Sequence, residues 1–280
     1  MALGLKIPTF TIKTFSKEDD NIFTITEKQD FISEELPLQI SLKKNASATK
    51  SRNFVISMRT PGNDIEFVYG FLFTEGIIQD ANEIVHIEQF ENKIEVLLSE
   101  NNYYTLDSVQ RNFFTSSSCG VCSKTQQSDI ESETNYLPFA SKLRVDAKNL
   151  FGIQEKIFEG AGMFEKTGGI HSAVLLNSEL QFVERMEDVG RHNALDKLIG
   201  SALLNNNFPL SEHIVLLSGR ISFELVQKTS KAGIPLIIAK GAPTSLAIEE
   251  AYAQSISLVG FCKNNTYNVY CDFDRIIDNK

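Results

Sequence analysis

The chain has 280 residues, of which 42% are hydrophobic and 22% charged, and its formal net charge is -9 at pH 7. This composition is typical of a soluble globular protein that forms one large or two ordinary domains. The acidic balance argues against a broad nucleic-acid-binding surface, because such surfaces are basic. The first residues lack the apolar run of a secretory signal, and no window approaches the ~20 apolar residues of a membrane helix. We therefore expect a cytoplasmic protein without nucleic-acid or membrane partners.

The first part of the sequence is rich in predicted strands. Segments of alternating or apolar character indicate strands at residues 10–15, 22–26, 37–42 and 54–58. A helix is predicted after the turn at residues 60–64, with Gly76 at its C-terminal end, and residues 84–98 indicate a β-hairpin. We therefore predict a β-rich α+β domain over residues 1–112.

Two cysteines with CxxC spacing, Cys119 and Cys122, follow this domain. The thiolate is the reactive form of cysteine, and the neighbouring Lys124 and exposed backbone amides would lower the pKa of these thiols. Four cysteines in 280 residues do not form a disulfide framework, so the pair indicates catalysis or metal binding. The spacing alone leaves three kinds of site open: a redox pair, half of a metal site, or a sulfur carrier. Because the residues that follow are almost entirely polar, we predict a mobile loop over residues 113–139.

The other cysteines and the histidines in strand patterns do not indicate a zinc site. Cys262 and Cys271 lack the close spacing of a second zinc-binding pair. His86 and His213 lie in or beside predicted strands, where structural roles are expected. We therefore predict no tightly held metal ion.

The second half of the sequence alternates short apolar strands with helices. Strands are indicated at residues 173–176, 180–183, 214–217, 234–238, 258–259 and 267–270, and helices at residues 146–158, 194–203, 223–232 and 244–256. Continuous apolar strands of this kind indicate a sheet that is covered on both faces. We predict an α/β/α sandwich over residues 140–280, so that the chain as a whole is α+β.

Four junctions in this second half carry an unusual set of polar residues, and ligands of α/β folds bind at such junctions. The positions are Gly168, Gly169 and His171; Arg191, His192 and Asn193; Ser218, Gly219 and Arg220; and Lys240 with Thr244. Glycines let backbone amides approach a ligand, and helix N-termini with an arginine bind anions. A tight turn explains the first junction equally well, and ordinary helix capping by Thr244 or Ser245 is the favoured interpretation of the fourth. Together the junctions predict a pocket for a large anionic, nucleotide-like ligand.

Several longer motifs resemble those of the FdhD family of accessory sulfur carriers for formate dehydrogenase. They occur in the family's order, and the run at residues 187–197 is the most specific; the others are residues 58–62, 70–76, 117–122, 167–173 and 218–220. The resemblance implies a sulfurtransferase that accepts sulfur from a cysteine desulfurase as a cysteine persulfide. It further implies transfer of this sulfur to the molybdenum cofactor, a bis-molybdopterin guanine dinucleotide, before insertion into formate dehydrogenase. A cytoplasmic homodimer, with a larger domain that resembles the cytidine-deaminase fold without its zinc ligands, is also implied.

The resemblance assigns roles to individual residues. Cys119 matches the persulfide cysteine of the family and Cys122 its partner. A cofactor-binding segment of the family falls on Phe261, Cys262, Lys263, Asn264, Asn265 and Thr266. Two residues depart from the family pattern: Ser123 replaces a usual glycine, and Lys263 replaces a common arginine by a point charge.

Two other functions are compatible with the CxxC pair. A thiol–disulfide oxidoreductase would form a reversible disulfide between Cys119 and Cys122, but the polar residues after the pair lack the apolar stripe of the helix that usually follows such a motif. A cofactor-binding chaperone would instead use the two cysteines to hold zinc.

Overall fold

The computed structural model describes residues 7–19, 22–44, 51–102, 136–158 and 162–278. Most of the loop predicted at residues 113–139 lies outside the described residues. The same holds for Cys119, Cys122, Ser123 and Lys124.

The chain begins with a separate β-hairpin, which we call the N-terminal hairpin. It consists of β1 (Thr9–Asp19) and β2 (Ile22–Phe31), which pair in antiparallel orientation and confirm the first two predicted strands. Phe15 and Phe23 face each other across the two strands, with ring centroids 6.2 Å apart. Within the described residues, neither strand pairs with a strand of another sheet.

A four-stranded sheet follows the hairpin. Its strands are β3 (Leu36–Lys43), β4 (Arg52–Arg59), β5 (Ile84–Gln89) and β6 (Lys93–Leu98), in the order β4-β3-β6-β5. β3 pairs antiparallel with β4 and parallel with β6, and β5 and β6 form the predicted hairpin. Helix α1 (Asp64–Thr74) shares one core with this sheet through Phe67 and Leu72. Gly76 follows the helix with φ 76°, a left-handed conformation typical of a helix end.

The helix predicted to begin at Asp146 starts later than expected, because this residue forms a local turn. β7 (Val145–Asp146) is followed by a single 3-10 turn, Ala147–Leu150, in which the Asp146 carboxylate accepts a hydrogen bond of 2.9 Å from the backbone N–H of Lys148. Gly152, with φ 68°, separates this turn from α2 (Ile153–Phe158), and α3 (Gly162–Thr167) comes next.

A six-stranded mixed sheet forms the centre of the second half. Its strands are β8 (His171–Asn177), β9 (Phe182–Asp188), β10 (His213–Leu217), β11 (Leu236–Ala239), β12 (Ser257–Gly260) and β13 (Asn268–Cys271). They lie in the order β13-β12-β11-β10-β8-β9. β10, β11 and β12 are parallel, whereas the other three strands are antiparallel to their neighbours. β14 (Ile276–Ile277) pairs with β7 outside this sheet.

Both faces of this sheet are buried. Val215 and Leu217 of β10 belong to one core together with α4 (Arg191–Leu204), whereas Ile214 and Leu216 belong to a second core together with α2. This double burial explains why the central strands are continuously apolar. The remaining helices are α5 (Phe223–Lys231) and α6 (Ser245–Ala253). The chain is a mixed α/β protein with several sheets, as expected, and the likeness to cytidine deaminases stays a prediction.

One hydrophobic core contains residues of both predicted domains, for example Phe67 and Leu195. At its centre α1 and α4 meet backbone to backbone, because a methyl group at Gly70 would overlap the carbonyl oxygen of Asp196. A methyl group at Gly200 would likewise overlap the backbone of α1. The domain boundaries stay predictions. No helix among the described residues combines the length and apolar character that crossing a membrane requires.

A buried ion pair joins α1, α4 and α5. Lys228 Nζ lies 2.9 and 3.0 Å from the two carboxylate oxygens of Asp196 and 3.3 Å from Glu75. Thr74 Oγ1 donates to Asp196 at 2.7 Å and accepts from Lys228 at 2.8 Å. Burial by itself lowers the pKa of Lys228, but the carboxylates of Asp196 and Glu75 raise it above its ordinary value. The lysine therefore stays charged inside the protein.

Candidate functional site

The topology of the six-stranded sheet brings the predicted junctions together. The parallel strands β10, β11 and β12 end at one edge of the sheet. Because β8 is antiparallel to β10, and β9 to β8, the start of β8 and the end of β9 lie at this same edge. All predicted cofactor-binding residues precede or follow these strand ends, and we call this place the binding edge. The structure therefore brings these residues to one edge of the sheet, and their binding roles stay predictions; Cys119 and Cys122 lie outside the described residues.

His171 occupies the start of β8 and lies against the loop after β10. A methyl group at Gly219 would be 3.1 Å from His171 Nδ1, so the absence of a side chain at Gly219 makes room for the imidazole. Burial lowers the pKa of His171, and the nearby guanidinium of Arg191 lowers it further. The imidazole is therefore neutral at pH 7 and acts as a hydrogen-bonding group, not as a cation. Gly168, with φ 62°, is exposed just before it.

The start of α4 presents open hydrogen-bonding groups. The N-cap is Gly190, and within the described residues no side chain caps the helix. Two buried polar atoms of its first turn, Arg191 Nε and His192 Nδ1, lack a hydrogen-bond partner in the described part of the chain. The other ring nitrogen of His192 lies 3.0 Å from Ser222 Oγ and 3.0 Å from a carboxylate oxygen of Glu224, which connects α4 to the start of α5.

Asn193 anchors this turn and does not point to solvent. Its amide nitrogen donates to the backbone carbonyl of Met58 at 2.8 Å and to Asp188 at 3.0 Å. Asp188 is fully buried, accepts from the backbone N–H of Thr60 at 3.1 Å, and forms an ion pair of 2.8 Å with Lys197. Sequence reasoning missed Asp188 and Lys197 as parts of the site. The spacing offered a signal, since Lys197 follows Asn193 by one helical turn and shares its buried face.

The loops after β10 and β11 are held together by their backbones. A methyl group at Gly241 would be 2.8 Å from the backbone nitrogen of Arg220, and the N–H of Gly241 donates to Gly219 at 3.1 Å. Ser218 is buried, and its hydroxyl accepts from the backbone N–H of Ser172 at 2.9 Å. Among the predicted residues Ser218, Gly219 and Arg220, the Ser218 hydroxyl is used in a hydrogen bond within the protein. The Arg220 side chain, in contrast, is exposed at the binding edge.

The helices that begin at the binding edge differ in their caps. The Thr244 hydroxyl accepts a hydrogen bond of 3.3 Å from the backbone N–H of Ala247 and caps α6, which confirms the capping interpretation of the fourth junction. Ser222 at the start of α5 makes no such bond to the helix within the described residues, because its hydroxyl lies beside His192. The N-termini of α4 and α5 are therefore open, and that of α6 is closed.

The segment at residues 261–266 connects β12 to β13 at the same edge. Phe261 has φ 50° and is exposed, as are Lys263, Asn264, Asn265 and Thr266. Cys262 is fully buried, with its sulfur 3.4 Å from the carbonyl oxygen of Leu150. Burial raises the pKa of Cys262 to about 11, so it is a neutral thiol and not a nucleophile at pH 7.

The binding edge suits a phosphate-bearing ligand. Open helix N-termini bind anions through their N–H groups and the helix dipole. Buried polar atoms in proteins are normally hydrogen-bonded, so the unpartnered atoms of Ser172, Arg191 and His192 at this edge leave hydrogen-bonding capacity that a ligand could use. The described residues contain no group of three or more His, Cys, Asp or Glu side chains that could hold a metal ion.

Comparisons with known proteins agree with these features. The model of the FdhD/NarQ family matches residues 33–277. The sulfur carrier protein FdhD of Sulfolobus acidocaldarius is 38% identical over 253 residues, which cover 89% of this chain and 92% of that protein. The protein of the same name from Mycolicibacterium paratuberculosis is 40% identical over 232 residues, covering 79% and 85% of the two chains.

A solved structure shares the fold. It comes from Desulfotalea psychrophila, is described as a formate dehydrogenase accessory protein, and has a TM-score of 0.72 to this chain at 25% sequence identity. The match covers 96% of this chain and 99% of that one. Since the family model spans most of the sequence and relatives above 30% identity align along it, the chain belongs to the FdhD/NarQ family.

Proposed function

We propose that this chain is a sulfurtransferase that takes sulfur from a cysteine desulfurase as a persulfide on Cys119. It passes the sulfur to the molybdenum cofactor, a bis-molybdopterin guanine dinucleotide bound as cargo, before the cofactor enters formate dehydrogenase. The observation that carries this proposal is the binding edge, where two open helix N-termini lie side by side in a sulfur-carrier family. A cytoplasmic homodimer and a deaminase-like second domain belong to the same proposal.

The transfer needs two thiol steps. The Cys119 thiolate attacks the outer sulfur of the desulfurase persulfide, the sulfur–sulfur bond of the donor breaks, and the donor cysteine leaves as a thiolate. The new persulfide on Cys119 conserves the oxidation level, so this step consumes no oxidant. Cys122 then either takes the outer sulfur in turn or attacks Cys119, which releases the outer sulfur as sulfide and leaves a disulfide. A cellular dithiol reduces that disulfide before the next cycle. Lys124 and loop amides stabilise the thiolate.

The cargo would be held by its phosphates at α4 and α5. Arg191, in the first turn of α4, supplies a forked cationic donor beside the open N–H groups. The neutral imidazole of His171 would add a hydrogen bond to a phosphate without changing the net charge of the site. Arg220 and Lys263 are exposed along the same edge and complete a cationic rim. The metal end of the cargo would then be the part that receives sulfur from Cys119.

The first test measures cargo binding. Replacing Arg191 by methionine is expected to weaken the binding of guanosine diphosphate, which is part of the cargo, by about 10- to 100-fold, because one charge-assisted phosphate contact is lost. Isothermal titration calorimetry provides the affinity. The control is Arg144→Met, which removes the same charge from an exposed position away from the binding edge. Equal affinities of the two variants would exclude Arg191 as a phosphate ligand.

The second test measures sulfur loading. The Cys119→Ala variant, incubated with a cysteine desulfurase and labelled cysteine, is expected to gain no protein-bound persulfide, whereas the unaltered chain gains one reducible sulfur atom by mass spectrometry. Cys271→Ala is the control, because burial raises the pKa of Cys271 to about 11 and keeps it a thiol.

Undiminished loading of Cys119→Ala would overturn the assignment. A reversible Cys119–Cys122 disulfide without gain of sulfur would indicate the oxidoreductase instead, and stoichiometric zinc in the purified protein would indicate the zinc-holding chaperone.

A further inference from the structure

The proposed function leaves one prominent surface unused. Phe15, Phe23 and Ile25 of the N-terminal hairpin are 65%, 63% and 53% exposed, and Phe31 is 48% exposed. All four lie on one face, because Phe15 is opposite Ile25, Phe23 is opposite Lys17, and side chains alternate along each strand. We call this surface the aromatic face.

The aromatic face is unlike an ordinary protein surface. On the other face of the hairpin, Ile12 and Thr14 are partly buried, whereas Phe10 at its end is 56% exposed. A two-stranded ribbon is at best marginally stable in water unless a packed face supports it. Contiguous apolar patches on soluble proteins mark interaction sites. The aromatic face is therefore expected to be covered by a partner.

The position of the hairpin narrows the choice of partner. The hairpin precedes residue 33, where the match to the family model begins. A contact through the hairpin therefore uses residues outside the matched region, and a second copy of this chain carries the same residues. The segment that follows the hairpin lies beside the binding edge, since Ser33 Oγ donates to Thr167 Oγ1 at 2.8 Å, next to Gly168.

We propose that the aromatic face packs against the aromatic face of a second copy across a two-fold axis. The proposal specifies the surface of the homodimer named under the proposed function and rests on it in that respect. At roughly 200 Å² per large side chain, the exposed fractions of the four residues amount to about 450 Å² per copy. A standard interface buries about 800 Å² per partner, a little over half of it non-polar, so the aromatic face supplies the apolar area that such a dimer needs.

The charges on this face are self-complementary. Lys13 and Glu27 lie opposite each other in the middle of the hairpin, 3.9 Å apart, and both are largely exposed. In the proposed packing the two-fold axis runs parallel to the strands, so that Lys13 of one copy meets Glu27 of the other, and the reverse contact is equivalent. The charges of the aromatic face, like its apolar area, therefore favour packing against the same face of a second copy.

Sedimentation equilibrium of the full chain tests the proposal. The unaltered chain is expected to be a dimer, and Phe15→Ser combined with Phe23→Ser is expected to raise the dimer dissociation constant by about 100-fold or more, because four aromatic anchors are lost per dimer. The matched control is Phe10→Ser combined with Phe139→Ser, whose side chains are 56% and 65% exposed. Phe10 lies on the opposite face of the hairpin, and Phe139 lies outside the hairpin. The control is expected to dimerise like the unaltered chain.

A mixing experiment separates contacts between copies from contacts within one. Lys13→Glu and Glu27→Lys each place like charges together, both within the hairpin and across the axis, so each variant alone is expected to dimerise poorly. Mixing the two leaves the repulsion within each hairpin but pairs opposite charges across the axis. Restored association on mixing is therefore the expected result.

A monomeric unaltered chain, a serine double variant that dimerises normally, or no gain on mixing would each overturn the proposal. Capture of formate dehydrogenase by a monomer through the aromatic face would overturn it in favour of another partner. Sulfur loading of Cys119 is measured separately, so failure of the dimer and failure of the proposed sulfur transfer give different results.

Discussion

Replacing Gly70 by alanine is expected to lower the free energy of unfolding by about 3 kcal/mol or more, and to leave little folded protein at 37 °C. The added methyl group would overlap the carbonyl oxygen of Asp196, and its other near neighbours, the carbonyl carbon of Asp196 and the nitrogen of Gly200, are also backbone atoms. No flexible side chain can move aside, so α1 and α4 must separate. Urea unfolding monitored by circular dichroism measures the effect.

The control separates lack of space from backbone strain. Gly76 has φ 76°, and a methyl group there would meet only the end of the flexible Lys231 side chain, at 3.4 Å. Gly76→Ala is therefore expected to lose only about 1–2 kcal/mol, from the left-handed conformation. A Gly70→Ala variant as stable as Gly76→Ala would show that the two helices do not meet backbone to backbone.

Replacing Lys228 by methionine is expected to destabilise the protein by about 3–5 kcal/mol, because Asp196 is then a buried carboxylate without its counter-charge. Removing both charges, in Lys228→Met with Asp196→Asn, is expected to recover at least half of this loss. Urea unfolding of the two variants gives the difference.

Lys231→Met is the matched control, since Lys231 is only partly buried and donates a hydrogen bond of 2.7 Å to the backbone carbonyl of Thr74. Its loss is expected to be about 1 kcal/mol. A double variant less stable than Lys228→Met alone would contradict the role of the pair, because it would place the loss in packing and not in the unpaired charge.

Much of the fold could be predicted because its elements differ in pattern. The strand β3, with one side toward the core, alternates apolar and polar residues, whereas β10, buried on both faces, is continuously apolar. The error at Asp146 came from a residue that caps helices and also forms local turns, and only Gly152 after it indicated a break. The contact of α1 with α4 could not be predicted, since a helical glycine does not reveal which distant helix approaches it.

The binding edge could be predicted from strand order, but the orientation of its side chains could not. Alternating strands and helices place strand ends at one edge whatever the residues are. Whether a polar residue there faces a ligand or the protein depends on neighbours far away in sequence. Asn193 donates to Met58, and Cys262 lies under Leu150, so both are directed inward. The binding roles of the exposed residues stay predictions.

The contact between Gly70 and Gly200 also constrains how the chain reaches its native state. Closing it brings together residues about 130 positions apart, and loop closure of this length carries an entropic penalty before any packing energy is gained. The side of α1 that carries Gly70 therefore remains uncovered during synthesis until α4 has left the ribosome. Over that interval the partly synthesised chain exposes surface that is buried in the native state. Folding intermediates with such surface are prone to aggregation and are the species that chaperones protect.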